Sequence, residues 1–145
     1  MTLRRWLPWK ALRDHHPDVE FGRHDLPGDV EGVYAWGDGR PVILLSKRLG
    51  RRAREAALAH ELVHHERGGT CSGNPLNPVG WRTVEIQEER KIDQLVAERM
   101  LDGGEVLAFA SRRTEMGEST TVADVAEEFD VAEWVAAERI KGLLS

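Results

Sequence analysis

The segment "AALAHELVHHERGG", which begins at Ala56, places two ionisable residue types inside an otherwise apolar, alanine-rich helix. His60 and His64 are four residues apart, so both imidazoles lie on one face of that helix. The surrounding alanine, leucine and valine residues indicate that the helix is substantially buried, and a buried ionisable side chain is costly without a partner. Any fold built on this segment must supply that partner, and a metal ion is one that two imidazoles can share.

The composition excludes several classes of protein. A length of 145 residues with 41% hydrophobic residues indicates one domain with a single core. The net charge of -5 disfavours general binding to nucleic acid. No segment approaches the roughly 20 apolar residues that cross a membrane, and the basic start lacks the apolar run of a signal peptide. The one cysteine, Cys71, excludes an intrachain disulfide and favours the reducing cytoplasm as compartment.

Turn residues and hydrophobic periodicity predict an α+β fold. A short N-terminal helix entered through Pro8 comes first. The strands that follow, with a turn at 37–40, predict a small antiparallel sheet. Two long helices come next, separated by a loop at 68–82, and Gly103 and Gly104 are expected to end the second helix. The predicted strands are 19–21, 30–36 and 41–46, and the predicted long helices are 51–67 and 84–101.

The last part of the chain is predicted to be a helical tail, 119–145, that follows a core of residues 1–118. Two short helices are expected there, and Thr121 and Asp124 lie at the spacing of a capping box. Binding of DNA by this helix pair is disfavoured, because six acidic residues against two basic ones would repel phosphate. We expect instead that the tail packs four apolar residues on the core, namely Val125, Phe129, Trp134 and Ile140.

Glu61 directly follows the first histidine and completes the H-E-x-x-H pattern of zinc hydrolases. At that position the carboxylate lies beside the two imidazoles, where it can take a proton from water instead of binding the metal. The alternative is that the two histidines decorate a surface and that Glu61 is a solvated charge. The apolar surroundings of the motif favour the buried metal site.

A third metal ligand is expected on the second long helix. All six histidines lie at or before residue 65, and Arg67 and Thr70 break the longer metzincin pattern, so a histidine ligand downstream of the motif is excluded. In "EERKIDQLVAERML", Glu89 and Asp93 are four apart and share a helix face. Glu89 can complete the coordination, and Asp93 can hydrogen-bond the distal nitrogen of a ligand histidine. Glu88 is the alternative ligand if the helix register differs by one.

Together, "LAHELVHHERGG", the loop and "EERKIDQLVAERML" resemble the ImmA/IrrE family of small gluzincin metallopeptidases, in particular its short actinobacterial or actinophage-like members. The hairpin-then-helix layout and the helical tail extend the resemblance over nearly the whole chain. It implies that residues 1–145 form one metallopeptidase domain with 1–118 as catalytic core. It also implies zinc as cofactor, His60, His64 and Glu89 as its ligands, and Glu61 as the catalytic glutamate.

The resemblance has one departure and one consequence for the substrate. The family's second helix usually carries Glu-x-x-Ala-Asn, whereas Ile92 and Asp93 stand at the last two positions in this chain. The family also implies a protein substrate, a helix-turn-helix repressor of a phage or mobile element, which is cut to release transcription. The alternative is a zinc-stabilised module that relieves the repressor by contact without proteolysis.

Substrate binding is predicted only in outline. One strand of the hairpin, either 30–36 or 41–46, is expected to hold the substrate as an added strand. No oxyanion-stabilising residue can be chosen from the candidates, which are Tyr34, His24, His65 and Arg82.

Overall fold

The computed structural model describes residues 5–67 and 81–144, and within them it confirms the predicted α+β class. Most of the predicted loop at 68–82, with Cys71, lies outside these residues, and the division into core and tail stays a prediction. The described elements are α1 Pro8–His15, β1 Glu20–His24, β2 Gly32–Gly37, β3 Arg40–Ser46, α2 Arg51–Glu66, α3 Trp81–Met100, α4 Gly103–Glu115, α5 Val122–Phe129 and α6 Glu133–Leu144.

The three strands form a mixed sheet in the order β1-β3-β2. Strands β2 and β3 make the expected antiparallel hairpin, whose turn residues Asp38 and Gly39 have positive φ angles of 54° and 75°. Strand β1, however, pairs with β3 in parallel, with Phe21 opposite Ile43. The prediction of a purely antiparallel sheet is therefore wrong. The pattern of side chains shows which residues form strands. It does not show whether two strands that are far apart in the sequence pair in parallel or antiparallel.

Helix α2 lies between two hydrophobic clusters. Ala57, Leu58 and Leu62 pack with the strand residues Ile43 and Leu45 in one cluster. The other face of α2 packs against the helical part of the molecule, through Ala56, Ala59 and Val63. Because both faces are covered, Glu61 and His64 are buried as well, with 7% and 3% of their surface exposed. The predicted burial of this helix is confirmed.

Helix α4 was not predicted, because Gly103 and Gly104 were expected only to end the preceding helix. Helix α3 does end just before them, but Asp102 starts a new helix by accepting a hydrogen bond from the backbone N–H of Glu105. The D-x-x-E spacing of Asp102 and Glu105 is the signal that could have revealed it. A Cβ at Gly103 would lie 2.7 Å from the guanidinium of Arg139 and 2.9 Å from a methyl group of Leu143, both on α6, so any larger residue there would move these side chains.

The tail packs on the core as expected. Thr121 and Asp124 form the predicted capping box, each side chain accepting a hydrogen bond from the other's backbone N–H. Val125 is buried in the helical cluster, and the other three predicted residues, Phe129, Trp134 and Ile140, are partly buried against it. None of the helices in the described parts of the chain combines the length and the apolar character that a membrane span requires.

Candidate metal centre

Three potential metal ligands meet where α2 packs on α3. His60 and His64 face the same way on α2, and Glu89 reaches them from α3. The Nε2 atom of His60 lies 2.8 Å from Oε2 of Glu89, and Nε2 of His64 lies 2.7 Å from its Oε1. One ligand atom from each residue falls within 4.8 Å of the others. The structure therefore brings together the three residues that were predicted as ligands.

Two of these atoms are buried and contact only each other. Nε2 of His64 and Oε1 of Glu89 lie 2.7 Å apart, and neither makes a hydrogen bond of good geometry in the described parts of the chain. Buried polar atoms are normally satisfied, so a pair of unsatisfied ones is a reason to expect a bound group. Two imidazole nitrogens and a carboxylate oxygen form a donor set that suits a divalent transition metal. The residues present thus fit a metal ion.

Asp93 has the position predicted for it. Its Oδ1 lies 2.9 Å from Nδ1 of His60, which leaves Nε2 of that ring directed at Glu89. Burial of His60 opposes its charged form, but the hydrogen bonds that its ring donates to Asp93 and Glu89 outweigh this and raise the pKa of His60 to about 10. A metal ion bound at Nε2 would displace the proton that Glu89 holds on that nitrogen, so metal binding would release a proton here, while the Nδ1 proton stays in the hydrogen bond to Asp93.

Glu61 is buried beside the donors without a binding partner. No described side chain forms a hydrogen bond or ion pair with its carboxylate, and burial raises the pKa of Glu61 despite the opposing effect of His60 and His64. A Cβ placed on Gly32 of strand β2 would lie 3.3 Å from Oε1 of Glu61. The carboxylate therefore lies against the edge strand, in an environment that favours proton uptake.

Other candidates from the sequence lie elsewhere. Glu88, the alternative ligand, pairs with Arg67, whose Nη2 atom lies 2.9 Å from each of its carboxylate oxygens. The hydroxyl of Tyr34 lies 2.8 Å from Nδ1 of His65, so these two oxyanion candidates contact each other. His24 is exposed on β1. The side chain of Arg82 lies outside the described part of the chain.

An open cleft of about 500 Å³ leads to the donors. Strand β2 and the residues before it form one side, and α2 and α3 form its base. Sequence reasoning missed the third wall, which comes from α6 and had been assigned only a packing role. The lining residues are Val30, Glu31, Gly32, Ala57, His60, Glu61, Glu89, Asp93, Trp134, Ala137 and Glu138.

The fold and this cluster define a small α+β protein with a candidate metal centre in an open cleft. The model of a peptidase family, described as the IrrE N-terminal-like domain, matches residues 18–141. The chain therefore belongs to this family, which supports a function of the metallopeptidase type and confirms the resemblance seen in the sequence. Searches of curated proteins and of solved structures found no match.

Proposed function

We propose that the protein is a zinc-dependent metallo-endopeptidase of the gluzincin type. His60, His64 and Glu89 bind the zinc ion, and Glu61 acts as general base. The observation that carries this proposal is the convergence of two imidazoles and a carboxylate on one point, with a second, unpaired carboxylate buried beside them. Zinc is the preferred ion because two histidines and a glutamate are the ligand set of zinc peptidases.

The side chains divide the work of peptide hydrolysis. Zinc, when bound, supplies Lewis acidity that lowers the pKa of water to about 7 and polarises the peptide carbonyl. Glu61 takes a proton from the attacking water and delivers it to the leaving amine. Asp93 holds the ring of His60 through Nδ1. Strand β2 is an edge strand of the sheet, so a substrate segment can align beside it as an added strand.

The proposed substrate is a helix-turn-helix repressor of a phage or mobile element, and the proposed location is the cytoplasm. Family membership supports a peptidase activity, the resemblance seen in the sequence motivates this class of substrate, and the one cysteine supports a reducing compartment. The competing proposal is relief of the repressor by contact alone, with zinc in a purely structural role. Only the first proposal requires Glu61.

The first prediction separates cutting from contact. The zinc-loaded protein is incubated with a candidate helix-turn-helix repressor, and fragments are followed by mass spectrometry. We expect Glu61→Gln to retain zinc and to reduce cleavage by at least about a hundredfold, because the water then lacks its base. Glu98→Gln, an exposed residue of α3, is the control and should cut normally. Full cleavage by zinc-loaded Glu61→Gln would refute the mechanism, and an intact repressor that nevertheless releases DNA would favour contact.

A further inference from the structure

Helix α6 forms a wall of the cleft, and its position there is fixed. Val135 and Ala136 of this helix are fully buried. The guanidinium of Arg139 donates a hydrogen bond of 2.9 Å to the backbone carbonyl of Leu101, at the end of α3. Trp134 and Glu138 are four residues apart, so they share the helix face that lines the cleft. These two side chains are therefore presented to a bound substrate from a rigid element.

The cleft is strongly acidic. Among the described residues that line it there is neither lysine nor arginine, whereas the acidic ones are Glu31, Glu61, Glu89, Asp93 and Glu138. Glu89 and Asp93 contact His60, and Glu61 lies at the reacting centre. Glu31 and Glu138, in contrast, have no side-chain hydrogen bond or ion pair with any described residue. Two carboxylates in the wall are thus available to a ligand.

On the other side of Glu138, basic residues line the surface instead of acidic ones. A neighbouring groove of about 810 Å³ shares Asp93 and Glu138 with the cleft, and its other lining residues include Arg90, Lys91 and Lys141. In the described structure none of these three cations forms an ion pair with Glu138. A positive side chain of a substrate is therefore attracted to the cleft side of Glu138 and repelled from the groove side.

We propose that Trp134 and Glu138 form a subsite for a cationic side chain, lysine or arginine, close to the scissile bond of the substrate. The carboxylate of Glu138 would pair with the cation, while the indole of Trp134 would cover its aliphatic stem or stack on a guanidinium. Glu61 supports a polar ligand in this cleft independently, since the residue is only 7% exposed, lines the cleft and has no side-chain partner among the described residues. The position of the subsite close to a scissile bond rests on the proposed peptidase function, but the binding of the cation does not.

The test uses the zinc-loaded full chain and four fluorescent octapeptides that differ only at a central residue, which is Arg, Lys, Gln or Glu. Both binding, by fluorescence anisotropy, and cleavage are measured. We expect the wild-type protein to prefer the Arg and Lys peptides over the Gln peptide by about tenfold, the effect of one charge-assisted hydrogen bond. Glu138→Gln should remove this preference, and Glu138→Lys should shift it toward the Glu peptide. Glu133→Gln, an exposed residue of the same helix, is the matched control and should keep it.

The outcomes separate the two proposals. Cleavage of all four peptides at equal rates would overturn the subsite and leave the peptidase function standing. Binding with a preference that depends on Glu138, without any cleavage, would support the subsite and count against the peptidase function. An unchanged preference in both Glu138 variants, or no binding of any peptide, would overturn the subsite. Trp134→Phe, which keeps an aromatic side chain in the wall, should lower affinity for the Arg peptide more than for the Gln peptide.

Discussion

Gly32 shows how a single missing side chain shapes the site at the residue scale. The residue lies at the start of the edge strand β2, directly against α2. A Cβ at this position would lie 3.3 Å from Oε1 of Glu61 and 3.1 Å from a methyl group of Leu45. Both contacts are tighter than ordinary packing, and Leu45 is fully buried and has little room to move. A side chain at this position would therefore displace both the Leu45 methyl group and the Glu61 carboxylate by a few tenths of an ångström.

The second prediction is that Gly32→Ala lowers kcat/KM roughly tenfold, because a general base displaced by tenths of an ångström no longer meets the water correctly. Bound zinc should be unaffected, since Gly32 does not contact the three ligands. Cleavage rate and zinc content measured on the same sample check this. Gly37→Ala on the same strand is the control, since its Cβ would meet only Val42, at 3.6 Å. Equal activity of the two variants would contradict the role given to Gly32.

At the scale of the elements, the turn between α5 and α6 is held against the first turn of α2. Asp130 occupies this turn in a left-handed conformation, with φ 56°. Its carboxylate accepts hydrogen bonds from Arg51 and Arg52, and Arg5 donates to the backbone carbonyl of Phe129 at 2.7 Å. These contacts join the helix that carries the two histidines to the tail whose last helix lines the cleft.

The third prediction concerns pH. The hydrogen bonds from Arg51, and then from Arg52, lower the pKa of Asp130 to about 2 from its ordinary 3.8. A carboxyl group whose pKa is lower in the folded state stabilises the fold above the unfolded pKa, and this stabilisation is lost as the pH falls through the folded pKa. We expect Asp130→Asn to have a lower free energy of unfolding than the wild type at neutral pH. This difference, the stability gap, should narrow below pH 3.8 and close near pH 2.

Urea unfolding at a series of pH values measures this gap. Asparagine also adopts the left-handed conformation readily, so the substitution removes the charge and keeps the backbone. Asp38→Asn is the matched control, because Asp38 also has a positive φ and forms no ion pair with any described residue. The difference between Asp38→Asn and the wild type measures the effect of removing a carboxylate that pairs with no arginine. A gap for Asp130→Asn that stays constant down to pH 2 would show that the two arginines contribute nothing through charge.

At the scale of the whole molecule, the candidate metal centre lies at the junction of the two hydrophobic clusters. Helix α2 contributes to both clusters, and Glu89 comes from α3, whose residues Ile92 and Val96 belong to the helical one. An ion that is held by α2 and α3 together would be bound in this way only in the folded state. Its binding free energy therefore adds to the stability of the fold.

The fourth prediction is that zinc raises the melting temperature of the protein. At a free zinc concentration of about 100 times Kd the gain is about 2.7 kcal/mol, which for a domain of this size means a shift of roughly 5–15 °C. Calorimetry with and without a chelator measures it. His64→Ala should abolish the shift, whereas His24→Ala, at an exposed position on β1, should retain it. A melting temperature that is indifferent to zinc in the wild type would argue against a metal held by both helices.

Part of this molecule could be predicted from the sequence because the relevant geometry lies within a few residues. The spacing of His60 and His64 sets their shared face within one helical turn, and Thr121 and Asp124 form a capping box within the first turn of α5. The contact between Asp93 and His60 also follows from helical spacing, because Asp93 lies one turn after Glu89 and Glu89 faces the histidines. Such features depend on backbone geometry that is the same in every helix.

The features that only the tertiary structure decided involve residues that are far apart in the chain. The parallel pairing of β1 with β3, the fit of Gly32 against Glu61 and the place of α6 in the cleft wall all depend on how separate elements pack. Glu138 is 77 positions after Glu61, and no local pattern encodes their common cleft. Packing is decided by the burial of apolar surface summed over the whole molecule, so the short-range pattern of side chains cannot specify it.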